Sequence, residues 1–230
     1  MFRLFSLFIL LSFSLSAETV YCIHGFMRKP ESMHKMARSF RKLDYSVENW
    51  GYPSREQTIE EHGKALVLAL KQTAKSSPGD PIHFVTHSMG GVILRVALND
   101  PECPEEAKQG RAVLLAPPNG GSAFGRYLNR FSLMQKWLGP NAGQQLLTKE
   151  CFHHLGSFPK SVDALVIAGT FGMNPLIEGK NDGKVAVTET CLETPHLHYK
   201  IFVGHARIMY HPEVIHAANL FIVYGPEYNS

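Results

Sequence analysis

No cluster of lysine and arginine marks this chain. Its 23 basic residues nearly balance 20 acidic ones, leaving a net charge of +3. Nucleic-acid recognition needs a basic stripe or run, so nucleic acid is not an expected partner. Beyond the first seventeen residues no apolar run approaches the roughly 20 residues that a membrane-spanning helix takes. Cysteine is scarce: only Cys22, Cys103, Cys151 and Cys191 are present. None shows C-x-x-C spacing, which argues against a structural zinc site. Among 12 histidines no H-E-x-x-H occurs, and the His153-His154 pair has no carboxylate at ligand spacing, which argues against metal catalysis. No metal or cofactor is expected. Nor does any internal repeat or low-complexity tract break the chain, so 230 residues read as one domain with a sizeable core.

What is present begins at the N-terminus. Met1-Phe2-Arg3 gives a short positive start, Leu4 to Leu15 is apolar, and Ser14-Leu15-Ser16-Ala17 offers small residues for cleavage. This pattern predicts a signal peptide over residues 1–17, export to the periplasm or beyond, and a mature domain over 18–230. Export permits disulfides, and four cysteines allow three complete pairings. Cys22 lies in an apolar strand pattern and reads as a buried small hydrophobe. The other three sit in loop-like segments, which leaves one bridge among them open. The sequence carries no signal for oligomeric state.

From residue 18 onward, short apolar runs alternate with longer amphipathic ones. The runs predict strands at Thr19-Ile23, Ser46-Trp50, Ile82-Thr86, Ala112-Ala116, Leu165-Gly169 and Lys200-Val203. Helices are expected at Glu31-Leu43, Thr58-Ala74, Met89-Asn99 and Pro212-Val223, with weaker helical patterns at Ser122-Leu138 and Gly143-Phe152. Such alternation predicts a three-layer α/β fold, a mostly parallel sheet of about six strands with helices on both faces. Ligands then bind beyond the carboxyl ends of the strands. One connection is unusually long: residues 118–163 carry Phe124, Tyr127, Leu128, Phe131, Leu133, Met134, Trp137 and Leu138. This segment reads either as a cap over that edge or as ordinary packing helices.

The sharpest local feature is Thr86-His87-Ser88-Met89-Gly90-Gly91, which follows an apolar strand and opens a helix. Its Thr86-x-Ser88-x-Gly90 register is close to the G-x-S-x-G nucleophile elbow, with threonine where the motif has glycine. A serine hydroxyl needs a base, a group to orient that base, and donors for an oxyanion. Asp182, in Asn181-Asp182-Gly183, follows the penultimate strand; His205, in Gly204-His205, follows the last one. Both therefore reach the same edge as Ser88. Glu178 and Glu189 are rivals for the acid, and His211 is the rival for the base. His196 and His198 precede the last predicted strand and would lie at its wrong end. The backbone amides of Met89, after the serine, and Phe26, after His24-Gly25, are the candidate oxyanion donors. His24 reads as structural.

Taken together, His24-Gly25-Phe26, His87-Ser88-Met89-Gly90-Gly91, Ala116-Pro117-Pro118-Asn119-Gly120-Gly121-Ser122, Asp182-Gly183 and His205 resemble the α/β-hydrolase superfamily, in particular small lipase/esterase-like serine hydrolases. The resemblance covers the whole mature chain. It implies hydrolysis of a small-molecule or lipid carboxylic ester through an acyl-serine, with Ser88 as nucleophile, His205 as base and Asp182 orienting it. A lipid substrate would imply transient contact with a membrane surface. Two alternatives stay open: an acyltransferase using the same triad, and a catalytically inactive hydrolase fold that serves as a binding protein.

Overall fold

The computed structural model describes residues 18–149 and 151–229, so the signal peptide expected over 1–17 lies outside the described residues. Its frame is a six-stranded sheet, all parallel, in the order β2-β1-β3-β4-β5-β6. The strands are β1 (Thr19–Ile23), β2 (Ser46–Trp50), β3 (Ile82–His87), β4 (Arg111–Leu115), β5 (Asp163–Gly169) and β6 (Leu197–Ile201). The helices are α1 (His34–Arg41), α2 (Ile59–Ser76), α3 (Met89–Asn99), α4 (Glu105–Lys108), α5 (Ala123–Leu128), α6 (Ser132–Leu138), α7 (Ala142–Thr148) and α8 (Pro212–Tyr224).

Alternation along the strands builds two cores, one on each face of the sheet. Tyr21, Ile23, Phe84, Leu114 and Val166 point to the side covered by α2 and α3. Val20, Cys22, Val85, Val113 and Ile167 point to the other side, where α1 and α8 supply Met36, Phe40, Val214 and Phe221. The central strands β1, β3 and β4 are buried on both faces, which is why they read as continuous apolar runs. Helix α2 starts at a capping box: the Thr58 hydroxyl accepts from Glu61 N–H, and the Glu61 carboxylate accepts from Thr58 N–H.

The expected architecture is present, with shifts at its margins. The last strand begins three residues earlier than predicted, so His198 lies inside β6 rather than before it. The Ser122–Leu138 pattern is two helices, α5 and α6, separated at 129–131. Cys22, Cys103, Cys151 and Cys191 are all free thiols, so the open bridge among the last three is not formed. Burial pushes the Cys22 thiol up to about 12 and that of Cys103 up to about 11, which leaves both inert near neutrality.

Four of the five buried histidines among the described residues share one property. His83 of β3 accepts a hydrogen bond from the Arg111 N–H through Nδ1 (3.0 Å), while its Nε2 faces Glu18 at 2.9 Å. His24, His62 and His87 are buried as well. Desolvation is the leading cause that holds all four below the ordinary histidine range. In the folded chain they stay neutral where the unfolded chain takes up protons. Their stabilising contribution is therefore complete above the unfolded value of about 6.5 and is lost as pH falls through that value toward the depressed folded ones. The urea midpoint should accordingly fall between about pH 7.5 and about pH 5, ahead of any carboxylate titration. A flat midpoint across that window would mean that these imidazoles are not held neutral.

Candidate active site

Strand order reverses direction between β1 and β3: the chain leaves β1 for β2 on one side and leaves β3 for β4 on the other. A crevice opens at such a switch point, and the segments after both strands border it. Ser88 stands there as the residue between β3 and α3, with φ 52° and ψ −124°. A left-handed φ on a residue other than glycine costs about 1–3 kcal/mol, so the surroundings must hold it. They do so through Ser88 N–H to Leu115 O (2.8 Å) and Gly91 N–H to Ser88 O (3.0 Å). Met27 (φ 54°), in the loop after β1, and Ala116 (φ 48°), directly after β4, have positive φ as well.

Three glycines make the turn fit. A Cβ on Gly90 would lie 2.7 Å from Ile23 O and 2.8 Å from His24 O, so α3 packs directly on the end of β1. On Gly25 it would come within 2.8 Å of His87 Nδ1 and 3.0 Å of the Ser88 Cβ. On Gly91 it would meet Pro117 Cβ and Thr86 Oγ1, both at 3.1 Å. That last contact accounts for threonine where the motif has glycine. Thr86 is fully buried, and the space its side chain takes is given up by Gly91.

The predicted acid and base come together. Asp182 Oδ2 accepts from His205 Nδ1 at 2.6 Å, and both side chains are buried. Asp182 Oδ1 accepts from the amides of Lys184 (3.0 Å) and Val185 (2.9 Å). The two backbones are joined as well, since His205 N–H donates to Asp182 O at 2.9 Å. Gly169, at the end of β5, leaves room for this loop: a Cβ there would lie 2.8 Å from Asp182 Cβ. Because Nδ1 carries the proton given to Asp182, Nε2 of His205 keeps its lone pair. Ser88 and His205 open onto one cavity, with no direct hydrogen bond between them among the described residues. Catalytic contacts commonly tighten only once substrate binds.

Neither rival acid competes. Glu178 is exposed. Both Glu189 oxygens are engaged, Oε1 by Ala123 N–H and Oε2 by Ala186 N–H. His211 is the residue that precedes α8 and does not line the cavity. His24 is structural: its ring stacks on Tyr52 at 4.2 Å, its Nδ1–H donates to Gly25 O, and its own carbonyl accepts from the Tyr52 hydroxyl. The amides of Phe26 and Met89 have no protein acceptor among the described residues, as oxyanion donors require.

Sequence reasoning passed over His87. Its Nε2–H donates to the His205 carbonyl at 3.1 Å, which ties the residue before the serine to the backbone of the histidine. Complete burial, reinforced by the nearby His205, keeps its pKa well below the ordinary range, so it serves as a neutral donor. Its place directly before Ser88 was the available signal. The reading missed Arg28 and Lys184 too, two cations that line the cavity and repel one another. Burial, then Arg28, lowers the Lys184 ammonium below its usual range against the pull of the Asp182 carboxylate, although Lys184 as a whole is exposed. No carboxylate forms an ion pair with either among the described residues.

The cavity measures about 410 Å³, and its far walls are apolar: Phe26, Phe124, Leu128, Met134, Leu138 and Leu146. Most of them come from α5, α6 and α7, the segment expected either to cap the edge or simply to pack. Close packing joins these helices, since a Cβ on Gly125 would lie 2.4 Å from Leu146 O.

With this geometry the chain aligns with solved enzymes along nearly its whole length. The mature form of lipase BlEst2 from Bacillus licheniformis superposes with a TM-score of 0.66 at 18% identity, over 93% of this chain and 92% of that one. The fold is that of an α/β-hydrolase. A metagenomic carboxyl esterase shares this α/β-hydrolase fold with a TM-score of 0.64 at 16% identity, over 85% of this chain and 66% of that one. Phospholipase PlaB from Legionella pneumophila does so with 0.62 at 16%, over 87% and 58%. No protein-family model matches the chain, and no curated protein matches it by sequence.

The elbow yields a signed test. In an unconstrained helix Gly→Ala gains about 1 kcal/mol, whereas forcing a methyl against fixed backbone costs about 1–3 kcal/mol. At Gly90 the second effect should win, because both clashing atoms are carbonyl oxygens of the β1 segment. Gly90→Ala is therefore expected to lower the urea midpoint; a raised midpoint would show that the end of β1 yields.

Proposed function

We propose that the protein hydrolyses carboxylic esters through a covalent acyl-serine, with a substrate that joins an apolar acyl chain to a nearby anionic group. The observation that carries this reading is the buried Asp182–His205 pair, whose free Nε2 shares a cavity with a serine in a strained turn. Ser88 Oγ attacks the ester carbonyl while His205 Nε2 takes its proton. Asp182 fixes the tautomer and stabilises the imidazolium that forms. The Phe26 and Met89 amides bind the tetrahedral oxyanion. His205 then protonates the departing alcohol, and later activates the water that releases the acid.

The substrate class follows from the cavity wall. Aliphatic and aromatic side chains of α5, α6 and α7 suit an acyl chain, and in this reading the 118–163 segment is a cap. Arg28 and Lys184, neither held in an ion pair among the described residues, suit a phosphate, sulfate or carboxylate on the alcohol side. Phe131, Leu133 and Trp137 are exposed on the cap, which favours esters presented at a lipid surface. The leader pattern of residues 1–17 supports a site of action outside the cytoplasm.

A fluorophosphonate probe should label the wild type and fail on Ser88→Ala; an adduct that persists in that variant would sink the assignment. His205→Ala should abolish ester turnover with the fold retained, whereas His211→Ala should not, and Asp182→Asn should lower kcat by about four orders of magnitude. Products formed with a competing alcohol separate hydrolysis from acyl transfer.

Specificity has its own measurement. The double variant Arg28→Gln/Lys184→Gln should lose at least about tenfold more kcat/KM on an anionic ester than on its neutral isostere. Equal losses on both esters would remove the anionic group from the substrate class and leave the triad untouched.

A further inference from the structure

A second cluster of reactive side chains lies outside the cavity. The 3-10 turn Thr188–Thr190 ends at Cys191, and β6 begins six residues later. Folding brings Cys191 beside His196 and His198, which sit two residues apart and so project to the same side of the chain at the sheet edge. One ligand atom from each of the three lies within 4.8 Å of the others. Cys191 Sγ and His198 Nδ1 are 3.7 Å apart, and the two imidazole centroids are separated by 5.8 Å.

Tautomers are set by neighbours. His196 Nδ1 faces Thr194 O at 2.8 Å, an acceptor only, so Nδ1 carries the proton and Nε2 keeps its lone pair. The Thr190 hydroxyl donates to Val187 O (2.7 Å) and therefore accepts from His198 Nε2–H at 3.0 Å. His198 Nδ1, the nitrogen facing Cys191, is then unprotonated. Each imidazole thus gives its proton to an oxygen and presents its other nitrogen, the arrangement that orients histidine ligands at metal sites.

We propose that Cys191, His196 and His198 bind a zinc-class divalent ion. Thiolate and imidazole suit zinc, and the absence of carboxylates from the trio disfavours magnesium and calcium. With bonds of about 2.0–2.3 Å in a tetrahedron, ligand atoms stand about 3.3–3.6 Å apart. The Cys191–His198 pair is already near that spacing, and His196 has only to swing inward. Cys191 is exposed, which gives the ion a path in. On binding, the thiol proton leaves to solvent, an S–metal bond forms, and water fills the fourth position.

The effect would be to rivet a turn that supports the neighbouring loops. Thr190 O accepts from Asn119 Nδ2 (2.8 Å), Glu189 O accepts from Gly120 N–H (2.8 Å), and Glu189 Oε2 accepts from Ala186 N–H. None of the three ligands lines the cavity that holds Ser88, so the site is separate from the candidate triad. The C-x-x-C criterion misses it because the spacing is Cys191-x4-His196-x-His198, completed by the turn rather than by a short loop.

The test uses the whole protein, stripped with a chelator and titrated with Zn2+ in a calorimeter. Saturation at one equivalent is expected, with affinity lowered at least about tenfold in Cys191→Ser, His196→Ala and His198→Ala. Co2+ in place of zinc should give a thiolate-to-cobalt charge-transfer band in the wild type. Zn2+, but not Mg2+, should protect Cys191 from alkylation, read peptide by peptide. Zinc binding that is unaffected by all three substitutions would place the ion on other histidines and overturn the proposal. Should a variant fail to fold, the wild type still decides: no cobalt band and no protection of Cys191 refutes the site.

Discussion

One peptide turn that cannot hold itself sets the terms for this molecule. Ser88 sits at a positive φ that costs about 1–3 kcal/mol, and the cost is met by the parallel ladder around it. Its amide is fixed by β4 and its flank by the end of β1, while the helix that follows must start without bending away. That requirement fixes where side chains are missing. Gly25, Gly90 and Gly91 lie where three backbones converge; a Cβ on Gly25 or Gly90 would collide with a neighbour, and one on Gly91 would be tightly crowded. The serine is exposed to the crevice because everything beneath it is closely packed.

Much of this was legible in the sequence, for a physical reason. A strand buried on both faces leaves an unbroken apolar run, so β1 has the bounds that periodicity predicts; β2 and α3 match as well, although β2 is a half-exposed edge strand. Ser88, Asp182 and His205 could be placed because parallel topology sends every strand end to one edge, and motif order then selects among them. Edge strand β6 was harder. Its exposed Tyr199 and Lys200 weaken the apolar signal, and the strand was placed three residues late. The break between α5 and α6 left no strong mark, since Asn129-Arg130-Phe131 contains neither glycine nor proline.

What the sequence hid is mostly made by distance along the chain. His87 reads as one more strand residue until its Nε2 is seen on the His205 carbonyl, 118 positions away. Glu189 was a rival acid by position, but its carboxylate bridges two backbone amides 63 residues apart, Ala123 and Ala186. Arg28 and Lys184 look like ordinary surface charges in isolation. Only folding turns them toward one cavity, where neither is held in an ion pair among the described residues.

Arg95 adds a mechanical consequence. It is a fully buried cation on α3, the helix that Ser88 opens, and its guanidinium grips Phe152 O at 3.1 Å. One turn further along, Asn99 holds Ser157 O, and Gly156 lies flush against it. At the opposite end of the excursion, Asn119 and Ala123 are clipped to Thr190 and Glu189. The three small helices between these points are therefore slung like a bridge deck from two abutments, with a mooring at mid-span where Asn141 Nδ2 donates to Glu56 O (2.7 Å) and Ala142 N–H to Gln57 O (3.1 Å). Any opening of the cavity must bend the span or release that mooring, and the serine's own helix is one of the piers.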